Sequence, residues 1–127
     1  IFDAGGIVLD GKIGLAHGHC WVDEKLMLCD CLVLGHTHYV HLIKSPATAI
    51  ASSAVWLTAD IDRKKALVHY KKVNKELRMI VMPAFNEVLH SSKFSENIFL
   101  KNNIFKHASV KIYTLNGIAL GKLINYI

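Results

Sequence analysis

Apolar residues in this chain occur in short runs that turn-forming residues interrupt, and this pattern predicts a fold rich in strands. The clearest run is LVL at residues 32–34, which is typical of a strand buried on both faces of a sheet. Gly35 follows and predicts a sharp turn of the backbone at the end of that strand. The same criteria predict strands at residues 12–16, 31–34, 41–44, 54–59, 79–82, 109–115 and 118–127.

Two dipeptides predict tight hairpin turns. Asp10-Gly11 lies between the apolar arms of residues 6–16, and Asn116-Gly117 lies between the last two predicted strands. Both dipeptides favour hairpins because their residues accept the positive φ angles that such turns require. Ser52-Ser53 is expected to separate two strands.

Helical signals are few. Residues 23–28 (DEKLML) begin with acidic residues and place leucines at helical spacing, which predicts a short helix begun by Asp23. One helical turn is predicted at residues 86–90, followed by a polar loop at residues 91–97. The predicted fold class is therefore α/β and strand-rich, and residues 1–127 show no repeat or boundary that would divide them into two domains.

Composition fits a folded globular chain. Hydrophobic residues make up 52% and charged residues 20%, a balance that argues against disorder. No apolar run approaches the roughly 18 residues that a membrane span requires, so no membrane partner is expected. The three cysteines, an odd number, do not predict a secreted disulfide framework, and a cytoplasmic location is expected.

The chain is basic, with a net charge of +5 and a pI of about 9.2. This charge suits an anionic partner such as a phosphate ester or nucleic acid, although lysine-rich surfaces also serve solubility. Residues 63–78 hold seven Lys and Arg residues and one Glu. For the structure of these residues, the pattern leaves open a hairpin or an exposed basic segment. For their function, it leaves open a solvated face or a contact with a nucleic-acid backbone.

Two pairs of histidines follow two of the predicted strands. His17 and His19 come after residues 12–16, and His36 and His38 come after the LVL run. Open α/β proteins bind ligands at the carboxyl edge of the sheet, so the two pairs predict one site at that edge. If the chain stays extended, His36 and His38 point to opposite sides and would serve two adjacent metal ions rather than chelate one.

Imidazole nitrogens are suitable ligands for zinc, manganese or iron. Water bound to such an ion ionises near neutral pH, and two ions roughly 3.5–4 Å apart can aim one hydroxide at phosphorus. His17, His36 and His38 are therefore the predicted metal ligands, and His19 is interpreted as a ligand neighbour, a substrate contact or a hydrogen-bonding prop. The other histidines lack this spacing and are interpreted as structural: His41, His69, His90 and His107.

The cysteines offer two weaker alternatives. Cys29 and Cys31 with Cys20 would suggest a zinc site, but structural zinc sites space their cysteines more widely, and such residues beside a strand more commonly fill small apolar gaps. A nucleophilic pair of Cys20 with His19 is disfavoured because neighbours along an extended chain point apart.

HGH at residues 17–19 followed by DCLVLGHTH at residues 30–38 resembles the last two metal-binding motifs of the calcineurin-like metallophosphoesterases. VWL at residues 55–57, MPAFNEVL at 82–89 and LNGIALGKL at 115–123 narrow the resemblance to an archaeal and bacterial branch of that superfamily. Members of this branch are described as phosphoesterases related to the nuclease subunit of double-strand-break repair complexes.

The resemblance implies a two-sheet α/β sandwich, flanked by helices, with a dinuclear centre that hydrolyses phosphoesters. It implies two divalent metal ions, usually manganese, with His17 and His36 on one ion and His38 on the other. This branch usually has proline after GHTH, where this chain has Tyr39, so a different path of that loop is expected. The superfamily's earlier motifs, Asp-x-His, Gly-Asp and Asn-His, do not occur, so the chain corresponds to the carboxyl-terminal half of the enzyme domain.

Three functions therefore follow from the sequence. The first is a metal-dependent phosphoesterase acting on phosphomonoesters or phosphodiesters, completed by a missing amino-terminal half. The second is a non-catalytic remnant or interaction module that keeps the fold. The third is a nucleic-acid-binding domain that uses residues 63–78, which predicts salt-dependent binding without metal.

Overall fold

A computed structural model describes residues 4–35, 40–44, 50–83 and 98–122, with backbone alone for 40–44, 50–53 and residue 100. Over these residues the chain forms strands and short helices. The strands are β1 (Ile7–Leu9), β2 (Ile13–Ala16), β3 (Cys31–Leu34), β4 (Val40–Lys44), β5 (Ile50–Asp60), β6 (Arg78–Val81), β7 (Lys111–Thr114) and β8 (Ala119–Lys122). The helices are α1 (Arg63–Ala66), α2 (Ile98–Lys101) and two 3₁₀ helices, Glu24–Leu28 and His107–Ser109.

Seven strands form a mixed sheet in the order β1-β2-β3-β6-β5-β7-β8. β2, β3 and β6 are parallel neighbours, and the other adjacent pairs along this sheet are antiparallel. β4 pairs antiparallel with the first half of β5. The strand-rich α/β class is therefore confirmed, with β3 at a central position as expected.

Both predicted hairpins form. In the β1–β2 turn Asp10 and Gly11 have φ angles of 48° and 65°, and the Lys12 amide donates to the Leu9 carbonyl at 3.0 Å. Positive φ at both central residues is the requirement that selects Asp-Gly at this turn. In the β7–β8 turn Gly117 has a φ of 86°. The returning strand is described as Ala119–Lys122, and residues 123–127 lie outside the described part.

The hydrophobic core lies on one face of the sheet. Its strand residues include Leu32, Leu34, Leu57 and Met79, each at most 1% exposed. The short helices cover this face with fully buried side chains from the 3₁₀ helix, α1 and α2, namely Leu26, Met27, Ala66 and Phe99. Side chains alternate across a strand, so this face holds every second residue of β3.

The opposite face of the sheet differs from the prediction for β3. Cys31 and Val33 are half-buried, so the expectation of burial on both faces is wrong within the described residues. Their register partners in β1, β2 and β6 continue the same surface. We call this surface the second face; it consists of Ile7, Leu9, Ile13, Leu15, Cys31, Val33, Arg78 and Ile80. Leu9 and Ile13 are 43% and 41% exposed.

Several boundaries also need correction. Ser52-Ser53 does not separate strands, because both residues lie within β5 and pair with β4. Residues 63–78 form no hairpin; α1 and a loop precede β6. The helix at residues 24–28 is a 3₁₀ helix, and the Asp23 carboxylate pairs with Lys25 at 3.4 Å instead of capping it.

Two elements near the carboxyl terminus were not anticipated in full. α2 was not predicted, and the strand expected from residue 109 begins only at Lys111, after a 3₁₀ helix. The turn predicted at residues 86–90 and the loop at 91–97 lie outside the described residues. None of the described helices is long and apolar enough to cross a membrane.

Candidate metal centre

The carboxyl ends of three parallel strands meet at one edge of the sheet. Ala16 is in register with Leu34, and Leu34 is in register with Val81. The pairing continues past the strands: the Gly35 amide donates to the Ala16 carbonyl at 3.2 Å, and the Met82 amide donates to the Leu34 carbonyl at 2.7 Å. β2 and β3, the strands that precede the two histidine pairs in the sequence, therefore end side by side.

His17 and His19 lie together at this edge of the sheet, which we call the histidine edge. Their ring centroids are 5.1 Å apart, the ring planes are tilted by 59°, and both side chains are exposed. Gly18 lies between them, is buried and has a φ of 98°. Glycine adopts this positive φ without strain because it has no side chain. The Gly18 carbonyl accepts a hydrogen bond from the Ile98 amide at 3.0 Å, so the start of α2 holds the turn that presents both imidazoles.

The backbone at Gly35 does not require glycine. Its φ lies outside the left-handed region, and an added Cβ would lie 3.6 Å from the His17 carbonyl oxygen and 3.7 Å from its Nδ1, which are ordinary contacts. The turn predicted after Gly35 falls on residues 36–39, which lie outside the described residues. The positive φ at this edge belongs to Gly18.

This contrast makes a prediction. Gly35→Ala is expected to change the free energy of unfolding by less than about 1 kcal/mol, because the backbone suits alanine and the new methyl meets no overlap. Gly18→Ala is expected to cost about 1–2 kcal/mol, because alanine is strained at positive φ. Urea unfolding of the two variants beside the parent chain measures both values. Equal losses would contradict the assignment of the turn to Gly18.

His36, His38 and Tyr39 lie outside the described residues. Of the three predicted ligands, His17 alone is among the described residues. Within the described part of the chain, no three His, Cys, Asp or Glu side chains lie together so as to hold one metal ion. His17 and His19 supply two imidazoles, and carboxylates are the ligands that manganese prefers. A complete manganese site therefore requires ligands in addition to these two residues.

Asp30 is not a ligand neighbour of the histidines. It directly precedes β3, and its Oδ1 accepts a hydrogen bond from Asn74 Nδ2 at 3.0 Å. The length of β3 puts it about 13 Å from the carboxyl edge at about 3.3 Å per residue. This position and the hydrogen bond from Asn74 give Asp30 a structural role.

The cysteines lie in structural positions. Cys29 is buried, and burial raises the pKa of its thiol above the ordinary value, with a smaller contribution from Asp30. Burial likewise raises the pKa of Cys31, with Cys29 as the second cause. Raised pKa values favour the neutral form of both thiols at neutral pH. These placements agree with the view that the cysteines fill space.

A cavity of about 400 Å³ lies beside His17 and was not anticipated from the sequence. Its lining is largely apolar and belongs to the second face and its continuation: Ala4, Gly6, Ile7, Leu15, Ala16, His17, Val33 and Met82. The signal that could have revealed it is the alternation of β1 and β2, which places Ile7 opposite Leu15 on the face away from the core.

A ring stack lies next to the histidines along the chain. Trp21 stacks on His69, with ring centroids 4.0 Å apart and ring planes 28° from parallel. Trp21 also makes T-shaped, edge-type ring contacts with Tyr70 and Phe99. His69 is exposed and Trp21 is half-buried. His69 was interpreted as structural, and the stack gives it a specific partner.

Comparisons with protein-family models, with curated proteins and with solved structures find no match to this chain.

Proposed function

We propose that this chain is the carboxyl-terminal part of a metal-dependent phosphoesterase. One observation carries the proposal: the parallel register of β2 and β3 ends the two strands that directly precede the HGH and GHTH segments at the same edge of the sheet. Histidine pairs at the carboxyl ends of neighbouring parallel strands are suited to a shared metal site, and such edges are where open α/β sheets bind ligands. The basic charge of the chain is compatible with a phosphoester substrate.

The residue roles follow the sequence resemblance. His17 and His36 would hold one divalent ion and His38 a second, with manganese favoured and zinc or iron as alternatives. Such ions supply a hydroxide at neutral pH and neutralise charge on the phosphoryl oxygens. His19 is exposed beside His17, where its imidazole can hydrogen-bond a phosphoryl oxygen or orient the neighbouring ligand. In this proposal His17, His36 and His38 act as ligands and transfer no proton.

The two-sheet sandwich is part of the proposal. Apart from Arg78, the second face presents apolar side chains, several of them half-buried or exposed, across β1, β2, β3 and β6. A sheet that is apolar on both faces is suited to packing between two layers. We place on the second face the remaining sheet of the enzyme domain, which would bring the Asp-x-His, Gly-Asp and Asn-His motifs and their carboxylate ligands to the histidine edge.

Metal content tests the proposal. After dialysis against Mn²⁺, elemental analysis of the chain is expected to find close to one ion per chain, and His17→Ala and His36→Ala are each expected to lose most of it. His107→Ala is the matched control, because His107 is exposed and bonds to Asn103 Oδ1 at 3.2 Å, away from this edge.

Two results would argue against the proposal. Equal loss of manganese in His107→Ala would show unspecific binding by surface imidazoles. Absence of bound manganese in the parent chain would favour the second candidate, a non-catalytic module that keeps the fold. That candidate is supported by the lack of a carboxylate grouped with His17 and His19 among the described residues.

A further inference from the structure

The positive charge of this protein is concentrated in one stretch, residues 63–75. Six of its thirteen residues are Lys or Arg, and none is acidic. The whole chain has 15 Lys and Arg against ten Asp and Glu, so the rest carries nine against ten. The entire excess of positive charge therefore belongs to this stretch, which we call the basic segment.

The cations of the basic segment are available to a partner. Arg63, Lys64, Lys65, Lys71, Lys72 and Lys75 are all exposed. The one ion pair found within the described residues joins Lys25 to Asp23, so no ammonium group of the basic segment is neutralised there. Cationic side chains that neutralise the phosphates of a polyanion release the cations condensed on it, which drives association at low salt.

The basic segment is fixed to the fold through groups other than its ammonium groups. The Tyr70 hydroxyl donates to the Val22 carbonyl at 3.0 Å, and burial raises the pKa of Tyr70 to about 12, so the hydroxyl keeps its proton at neutral pH. The Lys71 amide donates to Glu24 Oε1 at 2.8 Å, and the Asn74 amide donates to the Met27 carbonyl at 2.8 Å. The cations therefore project from an ordered surface.

An aromatic platform lies within this surface. His69 belongs to the basic segment, is exposed, and stacks on Trp21. Unpaired nucleobases stack on such rings whatever their sequence, while nearby cations bind the phosphates. A protein partner would require acidic side chains alone, and a duplex would keep its bases stacked inside. Cations around an exposed ring favour a flexible polyanion with aromatic groups.

From these observations we infer that the basic segment, with Trp21, is a binding surface for single-stranded nucleic acid. Binding requires no metal ion and no hydrolysis. Trp21 is two residues from His19, so a bound strand would lie close to the histidine edge. The further statement that the strand is the substrate rests on the proposed phosphoesterase function.

Fluorescence anisotropy of labelled single-stranded DNA and RNA, each of about 12 nucleotides, tests the surface in the presence of EDTA. The test variant replaces Lys64, Lys65, Lys71 and Lys72 with Gln. The control replaces Lys101, Lys106, Lys111 and Lys122, which are also exposed, so both variants lose four positive charges. The test variant is expected to bind at least about tenfold more weakly and to flatten the slope of log affinity against log salt by up to about 3.

His69→Ala separates nucleobase stacking from charge. It is expected to weaken binding of the oligonucleotides about fivefold or more and to leave binding of inorganic polyphosphate unchanged. Circular dichroism of each variant establishes that the fold is kept. Parallel measurements with DNA and RNA decide which nucleic acid binds more tightly.

Three results would overturn the inference. These are absence of oligonucleotide binding at about 50 mM salt, equal weakening in the test and control variants, and equal effects of His69→Ala on oligonucleotide and polyphosphate. Because EDTA is present throughout, none of these results depends on the metal measurement. If the chain does not bind manganese but binds oligonucleotides as expected, the proposed phosphoesterase function is rejected and the inferred binding surface is retained.

Discussion

Gly6→Ala is expected to lower the free energy of unfolding by about 3 kcal/mol or more, enough to unfold a marginally stable chain. Gly6 is buried at the start of β1 with a φ of 94°. An added Cβ would lie 2.5 Å from the Leu15 carbonyl oxygen and 2.6 Å from Leu26 Cδ2. Neither the backbone of β2 nor the buried Leu26 side chain can move away without disturbing the core, so strain and overlap add.

Gly11→Ala is the matched control for this prediction. Gly11 also has a positive φ, 65°, but an added Cβ there would meet nothing within 4 Å. It is therefore expected to cost about 1–2 kcal/mol from backbone strain alone. Urea unfolding followed by circular dichroism gives both values. Similar losses in the two variants would mean that the close approach of Gly6 to β2 contributes nothing.

Phe99→Ala is expected to lower the free energy of unfolding by about 3–5 kcal/mol. Phe99 is fully buried in α2, and its ring meets the edge of Trp21 at a centroid distance of 5.8 Å. Loss of the ring would leave a cavity between α2 and the segment that carries the histidines. The hydrogen bond from Ile98 to Gly18 is expected to weaken with it.

Two measurements examine this prediction. Chemical unfolding gives the loss of stability, and hydrogen exchange is expected to show faster exchange of the Ile98 amide. Val68→Ala is the control, because Val68 is 78% exposed and its truncation is expected to change stability by less than about 0.5 kcal/mol. Unchanged exchange at Ile98 would show that α2 does not depend on Phe99 to hold the histidine turn.

Local sequence signals predicted the elements that local chemistry determines. Asp10-Gly11 predicted its hairpin because few dipeptides accept positive φ at both residues, and Asn116-Gly117 predicted the second hairpin, in which Gly117 alone has the positive φ. The apolar run before Gly35 predicted β3 with the observed bounds. The common edge at which β2 and β3 end also followed from the sequence, because the two short apolar runs were interpreted as strands of one open α/β sheet.

Features that depend on distant partners could not be predicted in this way. A short apolar run does not reveal whether one or both sheet faces are covered, so the half-burial of Cys31 and Val33 was missed. Ser52-Ser53 resembles a break between strands, yet pairing with β4 keeps both serines in β5. α2 has four residues, too few for helical periodicity to be visible, and it lies where tertiary contacts hold it.

The parallel pairing of β3 with β6 has a consequence for the order of folding. The β1–β2 hairpin pairs residues that are close in sequence, and such a hairpin forms within about 1–10 μs. The pairing of Cys31 with Arg78 instead requires closure of a long intervening segment of chain. Such non-local pairing is slow because the loop entropy is lost before contacts compensate for it. The edge of the sheet that includes His17 and His19 is therefore completed late, after the β1–β2 hairpin has formed.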